Sequence, residues 1–547
     1  MESRVDTPSM RKERGAFFTP HALAKFMTGW AVRDRADRVL EPSCGDAIFL
    51  RSAGQRLAEL GSSPPQTSQL RGFDIHNDSL EDAARVLSGV GLTAELIKGD
   101  FFGATARPAY DAVVGNPPFI RFQGFAGESR RLANDRAALS GVDLSGLASS
   151  WAAFVVHGAT FLKPGGRLGL VLPAELMSVN YAAPVRRFLL ERFGSLDLVV
   201  FDELIFAGVQ ADVVVLLADG YGLGSAGHFR LHSANNVEEI DISEGRLWRP
   251  NSPSDRWTDA IFSEDGASLL RDSALQTFAP LQAWGRTTSG IVTGANAFFT
   301  MTEDQAADRG LGSHELLPVL PAGTSFSSRA SLSGSDWARV AKSRPGYLFA
   351  PSVPTKAALK YIGQGEKQGL DLRYKCRIRA PWWKVPLGTP SDLFVSYMSG
   401  STPRIVSNRA RVLNLNSVHG LRVAPSLRPL AQMALPVMAM SSVSLLSAEL
   451  VGRTYGGGIL KLEPTEAARW LVPRAESMKL MMSRQSALLS RGRYLLSRGD
   501  TAGCTAIADE ILMNEPGSLL THDVLRAIQN ARNSMVKRRA TRAASKS

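Results

Sequence analysis

RVLEPSCGDAIFLRSAGQRLAEL (residues 38–60) begins with a short apolar strand, passes through a glycine-containing loop and continues as a helix. Four further apolar runs end in Gly, Pro or acidic residues: LRGFDI (70–75), AELIKGD (94–100), YDAVVGNPPF (110–119) and RLGLVLP (167–173). Helix-like segments at 47–60, 79–90 and 151–163 separate these runs. A closing hairpin is predicted from two further apolar runs, at 196–203 and 211–219. This alternation predicts an α/β domain with a doubly wound, mostly parallel sheet.

The chain of 547 residues is too long for one ordinary hydrophobic core, so we expect at least two domains. The alternating pattern ends near residue 220, and we place the first domain at 15–225. Residues 121–150 predict a long polar loop at the carboxyl edge of the sheet, and residues 221–260 predict the connection between domains. A less regular α+β domain is expected at 235–515, followed by a basic tail at 516–547. We expect this tail to be solvated, and the alternative is a helix that frays into the tail.

The charge balance is basic, with 63 Lys and Arg residues against 51 Asp and Glu residues and a net charge of +12. Such an excess suits a polyanionic partner, although it does not separate DNA from RNA. No apolar run is long enough to span a bilayer, so no membrane partner is expected. The three cysteines (Cys44, Cys376 and Cys504) have no metal-ligand spacing, which indicates a reducing cytoplasm and no metal site.

Three strand ends carry residues suited to a nucleotide-like cofactor. Gly45 follows the first strand, where it allows a tight turn before a helix N-terminus. Asp74 ends the second strand, where a carboxylate can accept hydrogen bonds from ribose hydroxyls, and Asp100 ends the third, where it can accept one from an adenine amino group. Phe101 is expected to pack on that adenine. Each Asp taken alone is also common in turns, but three such strand ends in register favour a cofactor site.

The motif Asn116-Pro117-Pro118-Phe119 follows the fourth strand. The two prolines remove two amide donors and hold the backbone extended. The Asn116 side-chain oxygen and the Pro117 carbonyl can then accept both hydrogens of a planar NH2 group, and Phe119 can stack on the ring that carries it. The alternative is a proline-rich strand exit without chemistry. The position at a strand end favours the site.

FFTP (17–20), LEPSCGDAIFL (40–50), GFDIHND (72–78), KGDFF (98–102), YDAVVGNPPF and LKPGGRLGLVLPAELM (162–177) occur in the order typical of one family. In these motifs the chain resembles the TaqI-like and Eco57I-like N6-adenine DNA methyltransferases, and the match covers residues 15–220. The resemblance implies a Rossmann-like class I domain that depends on S-adenosylmethionine. It also implies that the target adenine is flipped out of the duplex. Phe119 departs from the family's commonest residue, Tyr, but the ring face is kept.

The family's site roles carry over to matching positions of this chain. The implied cofactor-binding residues are Phe18, Thr19, Pro20, Glu41, Cys44, Gly45, Asp74, Asp100 and Phe101. The implied catalytic residues are Asn116, Pro117, Pro118 and Phe119, with Phe206 as a second aromatic face for the flipped base. For Phe206, a role in the core of the hairpin remains an equal alternative.

The later domain is expected to recognise DNA, because base flipping needs contacts beyond the pocket. RYKCRIRAPWWKVP (373–386) mixes basic and aromatic residues, and on a strand its alternating charges would share one face. The alternative is a solvated face over an aromatic core. The predicted DNA-binding residues are Arg373, Lys375, Arg377, Arg379, Lys384, Arg404, Arg409, Arg411 and Arg422, and His419 lies among them.

Other functions remain open at this stage. RNA adenine methylation, methylation of protein glutamine side chains and a non-catalytic DNA-binding specificity subunit are the alternatives. We expect a monomeric, stand-alone enzyme in the nucleoid-associated cytoplasm, which acts on double-stranded DNA and protects it from a separately encoded endonuclease. The DNA sequence that it recognises cannot be deduced from the chain.

Overall fold

The computed structural model describes residues 19–61, 65–201, 213–257, 260, 277–320, 329–400, 402–455 and 458–544. The chain divides into two compact units, Met1–Ile261 with Thr541–Ser547, and Phe262–Ala540. The boundary follows residue 261, whereas the sequence suggested that the second domain begins at 235.

The first unit contains a nine-stranded sheet with the strand order β3-β2-β1-β4-β5-β7-β6-β8-β9. Its first five strands run parallel, and β7 lies antiparallel between β5 and β6. The strands are β1 (Val39–Glu41), β2 (Leu70–Asp74), β3 (Glu95–Lys98), β4 (Tyr110–Gly115), β5 (Leu162–Pro173), β6 (Ser195–Phe201), β7 (Val213–Asp219), β8 (Phe229–Ala234) and β9 (Arg246–Trp248). This confirms the predicted doubly wound, mostly parallel sheet and its closing antiparallel pair.

Helices cover both faces of this sheet, so its central strands are apolar on both sides. In β4, Val113 packs into one core cluster, whereas Ala112 and Val114 pack into the cluster on the other face. The helices are α1 (His21–Ala31), α2 (Ile48–Glu59), α3 (Asn77–Ser88), α4 (Gly127–Leu139), α5 (Ser150–Ala159), α6 (Glu175–Ser178) and α7 (Ala183–Arg192).

Two connections predicted from composition were wrong. Residues 127–139, within the expected loop, form α4, whose Ala133 and Ala137 are buried. The expected domain connection at 221–260 contains β8 and β9. The strand β8 pairs in parallel with β6. Four of its six residues are buried and only Arg230 and Ser233 are exposed, so a segment rich in polar residues still forms a paired strand.

The second unit combines several small sheets with long helices. Its largest sheet has the order β11-β20-β16-β18-β14, and a four-stranded sheet has the order β12-β15-β13-β19. The strands are β10 (Phe278–Pro280), β11 (Gly285–Thr288), β12 (Thr300–Met301), β13 (Leu316–Leu320), β14 (Ser331–Leu332), β15 (Tyr347–Phe349), β16 (Leu393–Ser396), β17 (Met398–Ser399), β18 (Ile405–Asn408), β19 (Leu413–Asn414), β20 (Val418–Val423), β21 (Arg453–Tyr455), β22 (Ile459–Lys461) and β23 (Leu471–Pro473). This is the α+β region that the sequence indicated.

The helices of the second unit are α8 (Asn296–Phe299), α9 (Glu303–Asp308), α10 (Gly334–Ala341), α11 (Lys356–Lys367), α12 (Tyr374–Arg377), α13 (Arg428–Met438), α14 (Ser442–Val451), α15 (Pro464–Ala467), α16 (Ala475–Ser497), α17 (Thr501–Met513) and α18 (His522–Ala544). The prediction of a solvated tail at 516–547 was wrong over α18. Leu525 and Ile528 are buried in the core, and the guanidinium of Arg539 pairs with the buried Glu449 at 2.9 Å. An apolar stripe anchors this basic helix.

Among the described residues no single helix has the length and apolar composition needed to cross a membrane; only the pair Pro425–Met438 and Ser442–Val451, bent by 88°, meets those criteria jointly.

Candidate active site

The predicted cofactor and catalytic motifs lie at one edge of the first unit's sheet. The strands β1 and β4 are parallel neighbours, with Val39 opposite Ala112 and Leu40 opposite Val113. The loop after β1 and the Asn116 motif after β4 therefore leave the sheet side by side at its carboxyl edge. Parallel α/β sheets bind their ligands at this edge.

A sharp turn shapes the loop between β1 and α2. Gly45 has a φ of +49°, and Ala47 has a φ of +59°, which is uncommon for a residue with a side chain. The Asp74 carboxylate holds this turn, because its Oδ2 accepts a hydrogen bond from the Gly45 amide at 3.0 Å. Its Oδ1 accepts a second hydrogen bond, from the amide of His76, at 2.8 Å. Asp74 thus joins the ends of β1 and β2.

Acidic groups concentrate around this loop. Glu41 is buried, and its Oε2 accepts a hydrogen bond from the Leu50 amide at 3.2 Å. Burial raises the pKa of Glu41 well above its usual value, and the nearby Asp46 and Asp74 charges add to the rise. Burial also raises the pKa of Asp46. A cation placed here would relieve the crowding of these carboxyl groups, whereas a phosphate would be repelled.

Cys44 serves as a packing residue in this loop. Its thiol is buried, and burial beside Glu41 and Asp74 raises the thiol pKa, which keeps it protonated. A Cβ at Gly72 would lie 2.9 Å from Cys44 Sγ, so only glycine in β2 leaves room for the loop. Cys44 therefore contributes the shape of the loop and no reactive thiolate.

The third strand end differs from the expectation. Asp100 follows β3, and its Oδ1 accepts a hydrogen bond from the Phe102 amide at 2.9 Å. The ring of Phe101, however, is only 2% exposed and stacks on Phe154 at a centroid distance of 5.8 Å, with Phe73 edge-on at 5.5 Å. Phe101 is a core residue here, because its neighbours from α5 and β2 already cover the ring.

Asn116 and the two prolines follow β4 directly, in a segment without helix, strand or turn. Asn116 is half-buried, and its Nδ2 donates a hydrogen bond to Thr19 Oγ1 at 3.2 Å. Pro117 is buried, and in the described part of the chain no donor contacts its carbonyl. Phe119 is half-buried and packs against both core clusters of the unit. Of the predicted pocket, Phe18 and Phe206 lie outside the described residues, and Pro20 immediately precedes α1.

Two residues near this edge were missed by sequence reasoning. Ile75 follows Asp74 and is 58% exposed, so it offers an apolar surface beside the β2 carboxylate. A bulky apolar residue after a strand-end Asp was the available signal. Ser150, at the start of α5, accepts a hydrogen bond from the Ile120 amide at 3.0 Å and donates one to the Pro118 carbonyl. No local pattern identifies Ser150, which is 30 positions from Ile120.

The predicted DNA-binding residues of the second unit divide into two groups. Those exposed to solvent are Arg373, Lys375, Arg377, Lys384, Arg409 and Arg411. The charges of segment 373–379 do not alternate along a strand, because the short helix α12 (Tyr374–Arg377) forms there. The alternative of an aromatic core is correct for Trp382 and Trp383, which pack onto the apolar cluster beneath.

Of the remaining three arginines, one is buried and two bond backbone carbonyls. Arg404 is 7% exposed, which contradicts its assignment to DNA contact, and burial lowers the pKa of its guanidinium. Arg379 donates hydrogen bonds to the Thr293 carbonyl at 2.8 Å and the Val292 carbonyl at 2.6 Å. The guanidinium of Arg422 is half-buried and bonds the Thr389 carbonyl at 2.7 Å. Buried His419 likewise bonds the Leu462 carbonyl, at 2.7 Å.

Two family models match this chain. Residues 73–206 match the Eco57I restriction-modification methylase family, and residues 254–513 match the C-terminal domain of the Type II methyltransferase M.Eco57I. The first range lies in the unit with the carboxyl-edge site, and the second covers most of the other unit.

Individual relatives extend over most of the chain. The Type II methyltransferase M.XamI of Xanthomonas campestris pv. amaranthicola is 24% identical over 482 residues, which cover 85% of this chain and 86% of the relative. M.AccI of Acinetobacter calcoaceticus is 21% identical over 488 residues and covers 83% and 84%. The solved structure of the Type IIL restriction-modification enzyme MmeI in complex with DNA shares the fold, with a TM-score of 0.59 and 12% identity over 97% of this chain and 80% of that one. The methylase motifs at the sheet edge and the relatives' extent across both units lead to one assignment: the chain is an Eco57I-like DNA methyltransferase of a restriction-modification system.

Proposed function

We propose that the enzyme transfers a methyl group from S-adenosylmethionine to the N6 amino group of an adenine flipped out of duplex DNA. The observation that carries this proposal is the state of the Asn116 motif: its amide nitrogen is engaged by Thr19, and the Pro117 carbonyl meets no donor in the described chain. That arrangement supplies acceptors at the end of β4 for the two hydrogens of an exocyclic amine.

The two acceptors, Asn116 Oδ1 and the Pro117 carbonyl oxygen, would make the main contribution to catalysis. Accepting both N–H hydrogens favours a pyramidal nitrogen, whose lone pair then becomes a nucleophile. Asn116 Oδ1 and the Pro117 carbonyl would stabilise the positive charge that develops on this nitrogen, because both are oriented dipoles in a partly buried site. The surplus proton can leave after transfer, so no strong base is needed. Phe119 would stack on the purine and hold its plane.

The loop residues fit S-adenosylmethionine by charge and by hydrogen-bonding type. When bound, this cofactor supplies an electrophilic methyl group on a sulfonium centre. Glu41 would attract its cationic groups, and Asp74 would accept hydrogen bonds from the ribose hydroxyls. Ile75 would cover one face of the cofactor's adenine, and Asp100 would accept from its amino group. Thr19 and Pro20 would border the methionine end.

Duplex DNA is the proposed substrate, and the exposed basic residues of the second unit support it. Arg373, Lys375 and Arg377 stand around the short helix α12, beside the exposed apolar side chains of Tyr374 and Ile378. Cations with adjoining apolar groups suit a phosphate backbone and displaced bases. We further propose that the enzyme works as a monomer and that its modification protects DNA from a separately encoded endonuclease.

The direct test is to supply methyl-labelled S-adenosylmethionine and identify the product after digestion to nucleosides. Duplex DNA should yield N6-methyladenine, while tRNA and total protein should remain unlabelled. Label in N4-methylcytosine, in RNA or in glutamine would contradict the assignment to adenine in DNA. Sequencing the modified DNA would then give the recognition sequence.

Asn116→Ala provides the matching loss of function. We expect it to lower methylation at least a thousandfold while the affinity for DNA, measured by fluorescence anisotropy, stays within a factor of two. Methylation at the normal rate in this variant would refute the proposed pocket.

A further inference from the structure

Three hydrogen bonds link Ser150 to the backbone around Phe119. The Ser150 hydroxyl accepts from the Ile120 amide at 3.0 Å and donates to the Pro118 carbonyl. The Ser150 amide in turn donates to the Ile120 carbonyl at 3.0 Å. The same residue therefore contacts the catalytic segment through its side chain and its backbone.

The bonded atoms have a particular relation to Phe119. The Pro118 carbonyl belongs to the peptide unit before Phe119, and the Ile120 amide belongs to the peptide unit after it. One hydroxyl therefore fixes both planes that determine the φ and ψ of Phe119 and hence the direction in which its ring projects. Proline rings already restrict φ at positions 117 and 118, so the Pro118 bond removes one of the few remaining torsional freedoms.

Ser150 itself is held in place. It is 1% exposed and begins α5, a helix whose residues are all buried. Its neighbour Ser149 lies 3.2 Å from the hydroxyl of Tyr181, which also accepts a hydrogen bond from Trp151 Nε1 at 3.2 Å. The Tyr181 hydroxyl donates to Glu175, and burial raises its pKa, so it remains a neutral donor. The start of α5 is thus tied to the segment after β5.

We propose that Ser150 is a positioning residue for methyl transfer: its hydroxyl orients the Phe119 ring and the Pro117–Pro118 acceptor segment toward the flipped base. This inference rests on the proposed function, because it assigns a role in the amine pocket. Ser150 touches neither the cofactor nor the reacting atoms. Its contribution is the alignment of the groups that do.

The test compares Ser150→Ala with Ser150→Thr in the full-length enzyme on DNA that carries the mapped target. Ser150→Ala should lower the single-turnover rate about 10- to 100-fold, since small misplacements of catalytic groups cost rates of this order. Its affinities for S-adenosylmethionine and for DNA should stay within a factor of two. Ser150→Thr keeps the hydroxyl and should recover the rate to within a few-fold of the wild type.

Ser52→Ala is the matched control. Ser52 is 3% exposed, and within the described part of the chain its hydroxyl bonds only the Ile48 carbonyl of its own helix, at 2.9 Å. This variant loses a buried hydroxyl of the same kind and should methylate at the wild-type rate.

Ser150→Cys, close to serine in volume, serves as a second probe of the lost hydroxyl and should show an intermediate rate.

Wild-type rates in both Ser150→Ala and Ser150→Cys would overturn the positioning role. So would an equal loss of rate in Ser150→Ala and Ser150→Thr with unchanged melting temperatures, because the hydroxyl would then be irrelevant. These outcomes are distinct from failure of the proposed function, in which the wild-type enzyme itself would form no N6-methyladenine.

Discussion

Asn116 Nδ2 donates a hydrogen bond to Thr19 Oγ1 at 3.2 Å, although the two residues are 97 positions apart in the chain. The bond decides which end of the Asn116 carboxamide faces the segment before α1. With the amide nitrogen engaged in this way, we propose that the carboxamide oxygen is the acceptor for the substrate amine. Thr19, expected only as a neighbour of the cofactor, is thereby also linked to Asn116, the proposed catalytic asparagine.

Removal of this link should slow catalysis without abolishing it. Thr19→Val keeps the shape of the side chain but removes the acceptor, and a lost hydrogen bond of about 1 kcal/mol corresponds to a rate about fivefold lower. Thr19→Ser keeps the hydroxyl and should methylate normally. Turnover at saturating DNA and S-adenosylmethionine measures the effect. Equal turnover in Thr19→Val and the wild type would mean that Asn116 is oriented by other contacts.

The Asp74 carboxylate should govern cofactor affinity. It accepts the Gly45 and His76 amides, and we propose that it also accepts the ribose hydroxyls. Asp74→Ala loses these charged hydrogen bonds, each worth about 1.5–3 kcal/mol, and should weaken S-adenosylmethionine binding at least about 30-fold. Asp74→Asn retains an acceptor oxygen, so its affinity for S-adenosylmethionine should lie between those of Asp74→Ala and the wild type. Calorimetric titration measures the dissociation constant of S-adenosylmethionine for both variants. An unchanged dissociation constant in Asp74→Ala would exclude the proposed contact with the ribose.

Exposed and buried arginines should differ in their effect on DNA binding. Arg377→Gln removes an exposed cation, so the slope of log affinity against log salt should fall by about 1. Arg404 is buried, and Arg404→Met should leave that slope unchanged. Anisotropy titrations at several salt concentrations measure both variants. A reduced slope in Arg404→Met, with none in Arg377→Gln, would reverse our assignment of the DNA-contacting surface.

His157 should make the first unit sensitive to acid. Burial, aided by the Arg136 charge, lowers the pKa of His157 to about 4. Between about pH 6.5 and pH 4 the unfolded chain therefore binds a proton that the folded chain rejects, so the stabilisation present at neutral pH is lost as the pH falls. By pH 5 the free energy of unfolding should drop by about 2 kcal/mol from this residue.

The apolar variant His157→Leu should lack this drop. Urea unfolding gives the free energy of unfolding of both proteins at pH 7 and pH 5. The loss between these pH values in the wild type, minus the loss in the variant, is the contribution of His157. The same loss of stability in wild type and variant would show that other groups cause the acid sensitivity.

Much of the first unit could be predicted from local patterns. The strands up to Asp219 and the helices between them follow from apolar runs separated by turn residues. The errors occurred where composition misled. The polar segment 127–139 forms a helix with two buried alanines, and the strand β8 carries polar residues at three of its six positions. A helix or strand rich in polar residues resembles a loop in composition.

In the candidate site, too, local patterns identified some residues and misled for others. Gly45, Asp74 and Asn116 could be identified because each follows a predicted strand. Phe101, by contrast, looked like a cofactor contact, but its ring is enclosed by Phe73 and Phe154. Arg404 looked like a DNA contact and is buried. Side-chain burial depends on which elements pack together, and residue type alone does not report that.

The order of strand-end motifs along the chain was enough to predict the class of fold, which the structure confirms, and to indicate the proposed cofactor edge and the proposed amine-binding segment. These features follow from backbone rules that act over a few residues: glycine permits tight turns, proline removes donors, and parallel strands end at a common edge. The partners of those motifs were decided by tertiary structure alone. Thr19 reaches Asn116 and Ser150 reaches Pro118 because packing of the helices against the sheet brings together segments that are far apart in the sequence.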